Sequence, residues 1–573
     1  MTALTPLKKY RMRVIFAPWL KVFECVCELA VPFIVRNIID NVFSVGSSHY
    51  FDEKYLIWNV ILIFGLGIAG FLATMVTQYL ASDTCSKYNQ DLKNELYTHL
   101  NNLTITQVNS YGKNKILNLI TNDSVSMQTG VQMYMRLLLR APFLVIGSVI
   151  ASFLINWIFG CVVLGCLFLS AIAIFTVFIV TPKKYMEAQT SLDDATKITK
   201  DNLSGSRIVR AFSNENHQIE KFEQSNEAYT KKYVSISKLN SLVNPLTFML
   251  VNLAVVFVLF ISKTSIENNS FISVGSIVAL ISFLTQALAA LLQFTKLITN
   301  LSKAYASKKR IDSFFALSPL KAEGSKTNFD KASDEVISMN NVCLNFGGDN
   351  VLDSISLSIK KGEKIGILGG TGSGKSILVS LLNGLIFSNS GEICLYKENI
   401  DSYSLSAIRG EVSLVGQKPA FFKGTIKNNL CLGTKFSDEE ISIALKKADA
   451  FEFVSKYEDF INHNVEENGS NLSGGQKQRL SLARGFLFKR DILILDEPFS
   501  ALDYRTSSKI KANLKELDTT LIICSQRVSN LSMCDRVFVI DSGKIINEGT
   551  HEELSKSCLI YKEIKECEAK VNG

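Results

Sequence analysis

The sequence predicts two architectures in one chain: an α-helical bundle of six transmembrane spans with long cytosolic helical extensions, followed by an α/β domain of the P-loop NTPase class. Three observations predict it. The 573 residues are 47% apolar, with 36 Phe and only 20% charged residues, and mean hydropathy is +0.19. The apolar residues gather into long uncharged runs between Val14 and Ile298, whereas from Ser333 onward the chain alternates as a soluble α/β domain does. A glycine-rich run, Gly369 to Ser376, directly follows the strand-like stretch Ile365 to Leu368. A single core rarely grows past about 250–300 residues, so at least two domains are expected.

Crossing ~30 Å of hydrocarbon takes about 20 mainly apolar residues, and six stretches qualify, near 14–35, 55–80, 137–157, 160–181, 245–264 and 274–298. Lys8, Lys9, Arg11 and Arg13 precede the first, and the segments after the second and fourth are long and rich in Lys and Arg. The other connections, Gly46 to Glu53, Asn156 to Trp157 and Ser265 to Ser273, are short and poor in positive charge. The positive-inside rule then places both chain ends in the cytosol. The start, Met1 to Arg13, shows no small-residue cleavage site, so the first helix is expected to stay as a signal anchor. The net charge of +8 follows from the same topology, since no basic, aromatic-interleaved nucleic-acid motif is found.

The segments Ser82 to Arg136 and Pro182 to Asn244 keep helical periodicity and contain little Pro or Gly, so they read as helices continuing into the cytosol. Breaks at Asn109, Ser110, Tyr111 and Gly112, and around Ser204, Gly205 and Ser206, predict short cross-helices at their tips. Residues 1–13 are the cytosolic N-terminus, 14–303 the membrane domain and 304–335 a linker with its polar stretch at Ala322 to Asp334. The α/β domain fills 336–573. Twelve cysteines are scattered without CxxC pairs, which predicts reduced thiols and no zinc site.

Charges inside a span need a reason. Lys21, Glu24 and Glu28 share one helical face at spacings of three and four. They read either as interhelical pairing with a snorkelling Lys21 or as Glu24 and Glu28 lining a path for polar or cationic substrate. Arg140 is placed near the cytosolic end of the third span.

The glycines of Gly369-Gly370-Thr371-Gly372-Ser373-Gly374 let main-chain N–H groups curl around phosphate oxygens. Lys375 neutralises the β and γ phosphates, and Ser376 offers its hydroxyl to Mg²⁺. Ile492 to Leu495 reads as a buried strand ending in Asp496 and Glu497, one acid for Mg²⁺ and one to polarise the attacking water. Between them, Leu472-Ser473-Gly474-Gly475-Gln476-Lys477-Gln478-Arg479 opens a helix through Leu482 and Ala483, and its hydroxyl, glycine N–H groups and helix dipole make a second anion site. Two phosphate-binding surfaces on one chain fit an ATP sandwiched between two copies of the domain.

These motifs, with Gln417 and Ser500-Ala501-Leu502-Asp503, resemble an ABC transporter cassette, and the six-span half is similar to the exporter type. Asp201 to Phe212 is similar to the second cytosolic loop of bacterial multidrug-type exporters. The resemblance covers nearly the whole chain. It implies that Phe346 stacks on adenine and that Gln417 links the Mg²⁺ region to the membrane domain. It also implies that Asp503 lies in the dimer-facing D-loop, and that Thr104 to Tyr111 and Ser204 to Asn214 are coupling helices. ATP and Mg²⁺ are the implied cofactors, with Ser376, Gln417 and Asp496 as the Mg²⁺ set.

Two departures stand out. Phe346 replaces the usual Tyr, which preserves stacking. Gln526, in Cys524-Ser525-Gln526-Arg527, takes the switch position where the family places His, and an amide can donate a hydrogen bond but cannot carry charge. That resembles the degenerate subunit of heterodimeric exporters, although Glu497 is present. The expectation is an ATP-driven exporter subunit in a bacterial plasma membrane, paired with a second half-transporter and moving an amphipathic drug, lipid or peptide. A homodimeric exporter and a nucleotide-gated channel are the alternatives.

Overall fold

The structure, a computed structural model, describes residues 2–42, 53–267, 273–317, 324–346 and 349–572. It divides into two compact units, Met1–Asn101 with Gly112–Leu317, and Asn102–Tyr111 with Ser318–Gly573.

Among the described residues the first unit consists of helices and the turns that join them. Five helices among the described residues are long and apolar enough to cross a membrane: Glu53–Asn102, Lys113–Ile155, Trp157–Ser204, Glu215–Lys263 and Val274–Phe315. Each outruns the ~20 residues a bilayer needs, because the 3.6-residue pattern continues past the apolar window into polar sequence. The first helix, Arg11–Val42, is long enough, but Lys21, Glu24 and Glu28 break its apolar run. Many large apolar side chains face outward, among them Trp58, Phe64, Phe71, Phe257 and Phe260. In water so much exposed apolar surface would drive association, whereas hydrocarbon accepts it.

The acids of the first helix are paired. Lys21 bonds Glu24, Arg140 reaches Glu28 at 3.0 Å and Glu24 at 3.6 Å, and Arg140 donates to Gln293 Oε1 at 2.7 Å. Lys21 does not snorkel but is buried against Glu24, and Arg140 joins the first helix to Val274–Phe315.

Helix ends differ from the sequence reading in places. Asn109, Ser110 and Tyr111 are not a break but the last turn of a short helix, Ile105–Tyr111, and the chain turns at Gly112, whose φ of 95° suits glycine. The second tip helix is Ser206–Ala211. The last long helix runs to Phe315, so the expected linker start at 304 falls inside it. Asp123 ends a π turn, Leu119–Asp123, and is nearly fully buried. Its carboxylate accepts from Ser307 Oγ at 2.8 Å and from Arg310 Nε at 3.0 Å. Arg310 is half exposed and can turn to water, so Asp123→Ala is expected to cost about 1–3 kcal/mol rather than the full penalty of a buried unpaired charge. A melting temperature in detergent lowered by a few degrees checks this.

The second unit is a layered α/β domain. In chain order its strands are β1 (Glu335–Phe346), β2 (Asp349–Lys360), β3 (Lys364–Leu368), β4 (Ser390–Leu395), β5 (Glu398–Asn399), β6 (Val412–Val415), β7 (Gly424–Thr425), β8 (Asn464–Val465), β9 (Ile492–Asp496), β10 (Thr520–Ser525), β11 (Arg536–Asp541) and β12 (Lys544–Gly549). An antiparallel sheet has the order β2-β1-β4-β5, a largely parallel one β12-β11-β3-β10-β9-β6, and β7 pairs with β8. β9 and β10 are buried along their whole length, as the apolar runs Ile492 to Leu495 and Leu521 to Cys524 require in a covered parallel sheet.

Candidate active site in the nucleotide cassette

The site is built where the parallel strands end. Register pairs Ser525 with Leu368 and Cys524 with Asp496, so the loops leaving β3, β9 and β10 emerge side by side. Ligands bind at this carboxyl edge in open α/β sheets.

Gly369 to Gly374 leave β3 as a loop, and Lys375 opens the helix Lys375–Leu382. Two glycines are required by geometry. A Cβ on Gly369 would lie 2.4 Å from the Ile540 carbonyl oxygen, and Gly374 has φ 102° with Leu352 only 2.8 Å from where its Cβ would be. Lys375 Nζ is buried and donates to the carbonyl oxygens of Gly369 at 2.7 Å and Gly370 at 2.8 Å. Burial lowers its pKa, opposed by the carboxylates of Glu497 and Asp496.

Asp496 and Glu497 are 5% and 8% exposed. Burial pushes both carboxyls above their usual range; the Ser376 hydroxyl and Lys375 oppose this for Asp496, and Lys375 and Gln526 oppose it for Glu497, while Asp496 raises it further. Asp496 Oδ1 and Glu497 Oε1 have no hydrogen-bond partner among the described residues. Orphaned buried carboxylate oxygens are costly, and a hydrated divalent cation with a polarised water is the chemistry that satisfies them. Glu497 also holds φ at 48°, an unfavourable conformation for a side chain with a Cβ, fixed by its N–H donating to Cys524 O at 3.0 Å.

Thr371 Oγ1 donates to Gln526 Oε1 at 3.2 Å, which ties the switch position to the phosphate loop. Gln417 is exposed just beyond β6, the neighbour of β9. Thus Gly369 to Ser376, Asp496, Glu497 and Gln526 come together. The side chain of Phe346 lies outside what the structure describes.

The signature segment stands apart: among the described residues no hydrogen bond joins Ser473–Gln476 to Gly369–Ser376. Ser473 caps the helix Gly474–Leu487, its Oγ accepting from Gln476 N at 3.3 Å while Gln476 Oε1 accepts from Ser473 N at 2.8 Å. Leu472 is buried beneath it, and the Ser473 hydroxyl proton stays available to an anion. The Ser500 to Asp503 loop passes behind: a Cβ on Gly475 would lie 3.1 Å from Ala501 O, and Leu502 flanks the same glycine. Asp503 caps the helix Tyr504–Lys515, and the hydrogen bonds from Thr506 hold its carboxyl below the usual range. The phosphate loop and the signature helix start are therefore two separate anion-facing surfaces among the described residues.

Residues 14–291 match the ABC transporter transmembrane region, and residues 352–500 match the ABC transporter family. The chain belongs to the ABC transporter family. It is a half-transporter, one membrane region fused to one ATP-hydrolysing cassette. The transporter is 29% identical to the uncharacterized ABC transporter ATP-binding protein YfiB of Bacillus subtilis strain 168, over 98% of each chain. It is 27% identical to an ATP-dependent lipid A-core flippase of Haemophilus influenzae strain 86-028NP, over 95% of this chain and 92% of that one. Its fold is that of a bacterial Atm1-family ABC exporter solved with ATP bound, with TM-score 0.81, 20% identity and 98% of each chain covered.

Sequence reasoning did not find the part Thr371 plays, nor Asn383, which caps the phosphate-loop helix and donates to Val412 O at 3.0 Å. A threonine inside a glycine loop and an asparagine at a helix end carry no distinctive signal.

Proposed function

We propose that this half-transporter exports an amphipathic or hydrophobic substrate, pairs with a different half-transporter, and supplies the slower of the two ATP sites. Gln526 carries this reading. In a head-to-tail cassette dimer each ATP meets the phosphate loop of one chain and the signature of the other. This chain offers an intact signature but a switch residue that cannot hold positive charge, so an asymmetric pair leaves one fully equipped site. Mg²⁺ would be held by Ser376, Asp496 and Gln417, and it supplies charge neutralisation for the phosphates when bound. The flippase relatives support a lipid-like substrate.

Six spans with both ends in the cytosol of a bacterial plasma membrane complete the proposal. The pairing of Glu24 and Glu28 with Arg140 supports counting the first helix, since a neutralised pair costs far less in a bilayer than free charges. The same pairing favours a structural over a substrate-path role for Glu24 and Glu28. A thiol placed at Asn214 should then stay unreactive to an impermeant reagent added to intact cells; labelling there contradicts the topology. The outward positions suited to the converse test, Ser48 and Asn268, lie outside the described residues.

The homodimer is the second reading, favoured by the intact Glu497. Purification of this chain with and without a tagged partner half decides between them: slow ATP turnover alone and fast turnover in the mixed complex support the asymmetric pair, and equal rates support the homodimer.

A further inference from the structure

From Gly324 to Asp334 the chain is a strap laid on the cassette, not the free linker its polar sequence suggested. The Lys326 N–H donates to Ser402 O at 3.1 Å, its carbonyl accepts from Ser404 N at 2.9 Å, and its ammonium meets Glu398 at 2.7 Å. Phe329 stacks on Tyr403 with ring centroids 4.3 Å apart. Lys331 closes the strap, 2.6 Å from Asp491 and 3.0 Å from Glu411. Glu411 is buried and also accepts from Tyr396 Oη at 2.5 Å.

Both acids stand at the feet of site strands. Glu411 directly precedes β6, which leads to Gln417, and Asp491 directly precedes β9, which ends in Asp496 and Glu497. Val412 pairs with Ile492, so the two feet are neighbours. Asn383, at the end of the phosphate-loop helix, binds Val412 O at the same spot. Three elements that build the ATP site therefore share one anchorage, at the opposite end of the sheet from the nucleotide.

We propose that Lys331 is a positioning residue for ATP turnover: seated between Glu411 and Asp491, it fixes the relative register of the two strands that carry Gln417 and the Asp496–Glu497 pair. A strand advances about 3.3 Å per residue and is stiff along its length, so a slip at the feet reappears roughly 20 Å away at the site. Without the ammonium, two neighbouring carboxylates face each other and repel. The strap is also the stretch through which the chain enters β1. The inference rests on ATP hydrolysis by the cassette and holds whether the partner is identical or different.

The test is steady-state ATP turnover by the full-length transporter in proteoliposomes. Lys331→Met keeps the apolar stem and removes the charge. It is expected to lower kcat about five- to tenfold while leaving KM for ATP within about twofold, since Lys331 contacts no group of the site. Lys331→Arg should restore most of the loss. Asp491→Asn, which removes one of the two acids, should show the same split and serves if Lys331→Met fails to assemble. An unchanged kcat in the assembled Met variant overturns the proposal, as does a loss that falls equally on kcat and KM with no recovery in Lys331→Arg.

Discussion

Lys375→Ala is expected to weaken ATP binding by at least about 100-fold, the low end of what the loss of two charge-assisted hydrogen bonds to phosphate at ~1.5–3 kcal/mol each implies. The structure adds a reason for so large an effect. The Lys375 ammonium is already buried and oriented by Gly369 O and Gly370 O, so the ligand does not have to order it. It is also a nearby positive charge acting on Asp496 and Glu497, whose carboxyls burial already pushes up. Removing it leaves those carboxyls easier to protonate, so any residual binding that needs their ionised form should fade at a higher pH than in the parent. Equilibrium binding of a fluorescent ATP analogue measures the affinity, and an unchanged value contradicts the assignment of the phosphate loop.

The second large effect separates the two faces of the cassette. If the partner is a different half-transporter whose ATP meets this signature, Ser473→Ala should lower total turnover about tenfold or more, the loss of one hydrogen bond to a charged phosphate at ~1.5–3 kcal/mol. Glu497→Gln alters this chain's own site and in that pairing should change turnover by less than about twofold, since the proposal makes the site with the neutral Gln526 the slower one. The Ser473 change also removes the helix cap, so retained yield and melting temperature are measured alongside; a cap alone is worth about 1 kcal/mol. If Glu497→Gln abolishes turnover while Ser473→Ala leaves it intact, the asymmetric assignment is wrong.

What could be read from the sequence divides along physical lines. The phosphate loop, β9 and the signature helix are local: a few adjacent residues fix backbone path and chemistry together, and the structure places Lys375, Asp496, Glu497 and Gln526 around one edge as their order implied. The spans were readable as apolar runs, but their ends were not, because a helix leaving the bilayer keeps its period and changes only its composition. That is why Val274–Phe315 outruns its apolar window and why Asn109 to Tyr111, polar and turn-like, are helical. The partners of Arg140 and Lys331 were not legible for another reason. Each is one half of a contact whose other half lies on a distant element, and no local pattern announces Glu28 and Gln293 for the one or Glu411 and Asp491 for the other.

Accumulation in proteoliposomes with the cassettes facing outward tests whether ATP hydrolysis drives substrate across the membrane. An amphipathic fluorescent dye that stimulates ATP turnover is placed at equal concentration on both sides. With ATP and Mg²⁺ the dye should rise inside above its outside level, and it should stay level with a non-hydrolysable ATP analogue or with the Lys375→Ala chain. Dye that never rises above its outside level, and that runs down an imposed gradient equally well with the non-hydrolysable analogue, would show a nucleotide-gated channel and not a pump.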